Sequence, residues 1–180
     1  MASLGVRAGY RLGQFGRALD FRVPHRDRAL AAALLTPAQL AAFHLMGSPD
    51  RRHAARVTRA LQDAGARDPD LLVAALLHDL GKVDAAGRGR VRLPHRVSKV
   101  LLARLAPWLW RWAGGRARRG PTRGYYLLQQ HPALGAAWAA RLGVSPRACA
   151  LIAAHQEGPG RSVGVDATLL RQLRAADDRN

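Results

Sequence analysis

The chain has 180 residues, 48% of them hydrophobic, and carries 29 Lys and Arg against 12 Asp and Glu, a formal net charge of +17. This length holds one domain with a true core and is short for two. The lone Cys149 excludes an internal disulfide and fits a reducing compartment, no apolar run reaches the length of about 18 residues that a spanning helix needs, and the first twenty residues, with Arg7, Arg11 and Arg17 and no sustained apolar core, do not read as a secretory signal.

Residues 1–30 are basic and weakly periodic and read as a short helix followed by a turn at Pro24. Thr36-Pro37-Ala38-Gln39 has the form of a capping box with proline at the first helical position, which predicts a helix to about Met46. Ser48-Pro49 repeats the start signal. The helix that follows sets Ala54, Val57, Ala60 and Leu61 on one face, with His53 one step from the stripe, and ends at Gly65. A third start, Asp68-Pro69-Asp70, opens the apolar run Leu71–Leu77. That run ends in His78-Asp79-Leu80-Gly81-Lys82, with Gly81 expected to supply a left-handed exit. Its polar end has two readings: a place for a metal ligand beside a cleft, or a helix C-terminus carrying a cation and its counter-charge.

A Gly/Arg-rich loop follows, then a helix from about Pro94. Its apolar positions Val97, Leu101, Leu105, Trp108 and Trp112 keep helical spacing and are expected to pack on the core, with a kink at Pro107 and an end at Gly114-Gly115. A basic linker of Arg, Gly and Pro leads to Tyr125. Pro132 is placed to open another helix that ends at Gly143, leaving His131 at its N-terminal edge. Ser145-Pro146 starts the next, which runs through Ile152 to His155 and stops at Gly158-Pro159-Gly160. The last helix begins about Asp166, carries Leu169, Leu170 and Leu173, and reaches Asp177-Asp178. No strand or internal repeat stands out. The expected fold is an all-α bundle of roughly seven to nine helices, with residues 1–47 an N-terminal helical extension and 48–180 the main domain.

The charge is unevenly placed: Arg88 to Arg123 contains eleven basic residues and no acidic one. Such a field favours anionic partners, whether nucleotides, nucleic acid or an acidic membrane face. Trp108, Trp110 and Trp112 lie within this segment and adjoin the basic linker, so a membrane-surface or partner-binding helix is the alternative to core packing. The expected location is the cytoplasm, with peripheral attachment to a membrane as the further option.

His53, His78, Asp79, His131 and His155 fall at helix ends or on the edges of apolar faces, with Asp177 as a sixth such group. Singly, each histidine reads as a satisfied core residue. Together, imidazole and carboxylate are ligands for Mn, Fe, Co, Ni or Zn, and no thiolate set competes. His25, His44 and His95 belong to no such pattern and are assigned to surface or packing roles.

In this order, His53, then His78-Asp79 within Leu-Leu-His-Asp-Leu-Gly-Lys, then Asp177 within Leu-Arg-Ala-Ala-Asp, the chain resembles the HD-domain metal-dependent phosphohydrolase superfamily, whose pattern is H…HD…D on a helical core. His131 in His-Pro-Ala-Leu-Gly and His155 in Ala-His-Gln-Glu resemble the subgroup that adds two histidines and binds two metals. The resemblance spans about residues 50–178. It implies one or two divalent transition metal ions, the first on His53, His78, Asp79 and Asp177, with Asp178 the alternative last ligand. Asp79 would bridge to a second ion held by His131 and His155.

The resemblance also implies a phosphomonoesterase or phosphodiesterase acting on a nucleotide or other small phosphoester through metal-activated water, with Asp79 and Lys82 catalytic. Cations held about 3.5–4 Å apart can bind a phosphate oxygen and acidify a water between them. Lys82 matches the lysine of the HD-x-GK motif, placed to meet a phosphate oxygen, and Arg56, one turn from His53, is a second candidate substrate contact or else a solvated arginine. Glu157, the only Glu in the chain, reads as an exposed loop acid or as a partner of His155. Where cyclic-dinucleotide phosphodiesterases of the HD-GYP type carry a Gly-Tyr-Pro signature, this chain has Ala-His-Gln-Glu-Gly-Pro-Gly. Two alternatives accompany the hydrolase reading. One is a non-catalytic HD protein whose segment 88–123 binds nucleic acid or an acidic membrane; the other is a two-iron oxygen chemistry, which some HD-fold proteins with similar ligands use.

Overall fold

A computed structural model describes residues 23–85, 89–116, 120, 122–157 and 165–180. The helix expected before Pro24, part of the basic linker and the stop at Gly158-Pro159-Gly160 lie outside the described residues. Within them the chain forms nine α-helices: α1 His25–Leu34, α2 Pro37–Leu45, α3 Ser48–Asp63, α4 Pro69–Leu77, α5 Leu93–Leu105, α6 Pro107–Arg116, α7 Arg123–Arg141, α8 Pro146–Ala154 and α9 Ala167–Arg179. A short 3-10 turn, Leu80–Lys82, follows α4. Among the described residues there is no strand, and extended pairing is confined to an isolated antiparallel bridge between Val83 and Arg90. No helix of the described residues is long and apolar enough to cross a membrane.

Local chemistry sets most of the helix starts. Gln39 N donates to Thr36 Oγ1 at 3.4 Å while Thr36 N donates to Gln39 Oε1 at 3.2 Å, completing the capping box. Asp68, Ser145 and Asp166 cap α4, α8 and α9 through the amides of Leu71, Ala148 and Leu169 at 3.0, 3.0 and 3.1 Å. Each such cap stabilises its helix by about 1 kcal/mol. For α3 the expected cap moves by one: Gly47 holds the N-cap position and Ser48 is the first helical residue. Gly65, with φ +86°, ends that helix as its sequence indicates.

These caps are also gathered in space. Arg147 reaches Asp68 at 2.7 Å and Asp166 at 2.9 Å, and Ser145 Oγ donates to Asp70 at 2.6 Å. Arg147 is half-exposed, so the pairs register the helices more than they stabilise them. Helices α4 and α8 each contain nine residues and start from this common knot. They therefore end at the same level, where His78 follows one and His155 the other, ring centroids 5.1 Å apart.

The main core draws on α1 to α4 and α7 to α9. Ala31, Leu35, Phe43 and Met46, from the segment expected as an extension, share one apolar cluster with Val57, Leu71, Leu76, Leu151, Ile152 and Leu173. A smaller cluster of Val91, Leu127 and Leu128, flanked by Trp110, Tyr126 and Leu134, lies where α6 meets α7.

The structure departs from the sequence expectations in α5, α6 and α7. Helix α7 runs unbroken through Pro132, so His131 is a mid-helix residue. Pro107 does not kink one helix but starts another: Ala106, at φ −142° and ψ 64°, separates α5 from α6, and Gly114-Gly115 lies inside α6. The apolar face of α5 does not pack on the core, because no residue of that helix is buried, and Trp108 and Trp112 are exposed as well.

Candidate metal centre

Helix α4 stops at Leu77 because the chain tightens into the 3-10 turn Leu80–Lys82. Gly81 does not leave the helix in a left-handed conformation, since its φ is not positive. Its lack of a side chain serves packing instead: a Cβ there would stand 2.2 Å from the His131 carbonyl oxygen and 2.7 Å from Gly135 N. Turn and helix α7 thus meet backbone to backbone, and this contact delivers His131 to Asp79.

Three buried histidines repeat one geometry. His78 Nδ1 bonds to Ala75 O at 2.9 Å, His131 Nδ1 to Leu128 O at 3.0 Å and His155 Nδ1 to Ile152 O at 2.7 Å. A carbonyl can only accept, so Nδ1 carries the hydrogen and, in the neutral ring, Nε2 keeps its lone pair. In α7 the device depends on Pro132. Without an N–H, that residue cannot bond Leu128 O, and the imidazole of His131 takes the vacated acceptor.

All three Nε2 atoms are buried without a hydrogen-bond partner, as is Asp79 Oδ1. Four unsatisfied ligand atoms in one interior are costly unless something binds them. They converge: His78 Nε2 and His131 Nε2 each lie 3.5 Å from Asp79 Oδ1. Ligand atoms about 2.05 Å from a tetrahedral ion stand roughly 3.3 Å apart, close to these spacings. The groups His53/His78/Asp79, His78/His155/Asp177 and Asp79/His131/His155 each hold their ligand atoms within 4.8 Å of one another. The six expected ligands are therefore brought together and form a cluster that can hold a metal ion.

Asp177, not Asp178, joins that cluster. Its Oδ1 accepts from His53 Nε2 at 2.7 Å and lies 3.6 Å from His78 Nε2. Asp178 lines the adjoining cleft, about 340 Å³, together with Lys99, His155, Gln156, Glu157, Arg174 and Asp177. Glu157 is exposed there, in agreement with the loop-acid reading. Arg174 fixes the end of α8 by donating to His155 O at 3.1 Å and Ala154 O at 2.5 Å.

Electrostatics match a cation site. Burial opposes ionisation of Asp79, yet Lys82, His78, His131 and His53 together hold its carboxyl well below the usual carboxylate range. Burial lowers His131 to about 3, and burial with His78 nearby lowers His155 to about 4. Both rings are neutral at ordinary pH, the form in which imidazole can bind a metal. For Asp177, burial is outweighed by the hydrogen bond from His53 and by the neighbouring His78, and its carboxyl is also lowered.

Lys82 donates to Asp79 Oδ2 at 2.6 Å, which turns Oδ1 towards the histidines. Behind it lies the buried Asp50, 3.9 Å from Lys82 Nζ and bonded to Arg96. The sequence alone did not mark Asp50, Arg96, Lys99 or Arg174. Arg96 and Lys99 share one side of α5, i and i+3, opposite its apolar stripe, and that spacing was the available signal. Arg56, the other candidate substrate contact, does not line the cleft; it is half-buried and donates to Asn180 O at 3.4 Å. In comparisons with known proteins, no family model, curated protein or solved structure matches this chain.

Proposed function

We propose that this chain is a metal-dependent phosphohydrolase of the HD type, acting on a nucleotide or other small phosphoester. One observation carries the reading: four buried, unpartnered ligand atoms on His78, Asp79, His131 and His155 face one another beside a cleft where Lys99 and Arg174 stand among Glu157, Asp177 and Asp178. Two ions at this cluster, one on His53, His78, Asp79 and Asp177 and one on Asp79, His131 and His155, would supply polarisation of a phosphate oxygen and a water acidified to a nucleophile.

The chain's own residues do the rest. Lys82 orients Asp79 and keeps a positive charge at the wall of the site, where equatorial phosphate oxygens gain charge. Lys99 lines the cleft, and burial and Lys82 lower its amine from the ordinary value. An anionic group beside Lys99 would reverse that shift, so the amine favours a phosphate over a neutral ligand. Asp79 and Lys82 are the expected catalytic pair, with Lys99 added as a substrate contact.

The test combines metal analysis of protein loaded separately with Mn, Fe, Co, Ni and Zn with hydrolysis of aryl phosphomonoesters, phosphodiesters and nucleotides by wild type and Asp79→Ala. Bound metal and a rate that collapses in the variant are expected. Protein that binds no ion, or a rate unchanged by Asp79→Ala, would overturn the reading.

A further inference from the structure

Helix α5 has its polarity reversed. Leu93, Val97, Val100, Leu101 and Leu105 occupy one helical face, and that face is turned to solvent, Val100 60% and Leu105 76% exposed. Its inward side carries Arg96, bonded to Asp50, and Lys99 at the cleft. After one intervening residue, α6 exposes Trp108 at 66% and Trp112 at 51%, four residues apart on one face. Trp110 between them turns inward, 6.2 Å from the Tyr125 ring.

These helices are firmly seated, so the exposure is not that of an unattached arm. The His95 and Tyr125 rings meet edge to face at 5.0 Å, and Ser98 Oγ and Tyr125 Oη are hydrogen-bonded at 2.8 Å. Ala113 is buried, and Gly114 lies so close to α7 that a Cβ would meet the Gln129 side chain at 1.9 Å. A seated helix pair that presents Leu, Val and Trp to water marks an interaction surface.

Charge selects what it meets. Arg90, Arg92, Arg104 and Arg111 are exposed on the same segment, and no acidic residue occurs anywhere from 88 to 123. A second copy of the chain would bring +17 against +17 with no carboxylate on this segment to pair with these arginines. Nucleic acid would satisfy the arginines but not the aliphatic stripe, because single strands stack on aromatics and duplexes present phosphate. An anionic bilayer answers both, with acyl chains for the stripe, the interfacial zone for the tryptophans and headgroup phosphates for the guanidiniums. We infer that the exposed α5–α6 face docks on an anionic phospholipid surface. Helix α5 would then lie between lipid on one side and the metal cluster on the other. This inference stands apart from the hydrolase reading, since it uses none of the ligand residues.

The experiment is vesicle flotation of the full, metal-loaded chain with phosphatidylcholine alone and with phosphatidylcholine containing phosphatidylglycerol. Association with the anionic vesicles is expected, with a blue shift of tryptophan emission and a partition about tenfold weaker at high salt. The double variant Trp108→Ala/Trp112→Ala should lower partition about tenfold, with metal content and thermal melting unchanged as the check on folding. Arg104→Gln/Arg111→Gln should weaken binding and flatten its salt dependence. Equal binding to neutral vesicles, no binding, or full binding by the double tryptophan variant would overturn the inference. So would a concentration-dependent dimer that shifts the tryptophan emission without lipid, or RNA that shifts it where anionic vesicles do not.

Discussion

Gly81 and His131 touch through their backbones: a Cβ on the glycine would stand 2.8 Å from the His131 Cα and closer still to its carbonyl oxygen. Neither atom can swing aside as a side-chain end would. Gly81→Ala should cost about 3 kcal/mol in urea denaturation, because the turn must lift from α7. Metal affinity in calorimetric titration should fall with it, since lifting the turn separates Asp79 from His131. Wild-type stability in this variant would mean that the two elements are not locked together.

Pro132 contributes to the site by what it lacks. Pro132→Ala returns an N–H that competes with the His131 ring for Leu128 O. The variant should be more stable by about 1–3 kcal/mol, yet bind metal roughly tenfold more weakly, because the ring loses its exclusive orienting partner. Thermal melting and metal titration on the same samples read the two effects, which have opposite signs. A gain in both would show that the carbonyl does not orient the ring.

Asp79 belongs to two of the ligand groups that would hold separate ions, whereas His131 belongs to one. Asp79→Asn should therefore deplete both ions, and His131→Gln should leave one. Elemental analysis after equilibrium dialysis measures the stoichiometry. Chelation of the wild type should lower its melting temperature, since the ions bind the assembled cluster and not the unfolded chain. Equal losses from both variants would favour a single shared ion.

The pH dependence of metal-free stability has a defined sign. His131 and His155 are held at about 3 and about 4 when folded, chiefly by burial, against 6.5 when unfolded. Between those values the unfolded chain binds more protons, so stability rises with pH. It should fall as pH drops from 6.5 towards 4, by roughly 3 kcal/mol for each ring. Asp79, whose carboxyl is lowered despite burial, adds its loss below the ordinary carboxylate value of 3.8. Urea unfolding at a series of pH values should show two successive declines; a flat profile above pH 4 would mean that these rings do not stay neutral inside the fold.

What could be read from the sequence was what depends on near neighbours. The starts at Thr36-Pro37, Asp68-Pro69 and Ser145-Pro146 are closed by a side chain and an amide three residues apart, and all three hold. Pro132 and Gly81 were marked as special for the wrong reason, because the forces acting on them come from across the fold. Packing of Leu127, Leu128 and Trp138 carries α7 past its proline, and the approach of α7 replaces a left-handed turn at Gly81. Periodicity grouped the apolar residues of α5 correctly but says nothing about which way a stripe points. The Asp50–Arg96 pair, 46 positions apart, has no local signature at all. Asp177 was within reach of the sequence: Leu170, Leu173 and Asp177 are i, i+3 and i+7, so the buried side of α9 selects Asp177 over Asp178.

The bonds from His78, His131 and His155 to the carbonyls three residues behind them reach beyond orientation. A ring fastened to the turn that carries it cannot pivot to follow an ion of another size. The distance between opposed nitrogens is then a property of the axes of α4, α7 and α8, and a larger or smaller cation must be met by moving helices. Metal preference would accordingly be written into core packing, and substitutions among Leu76, Leu151 and Ile152, which offer no ligand atom themselves, should register as a change in which ion is kept.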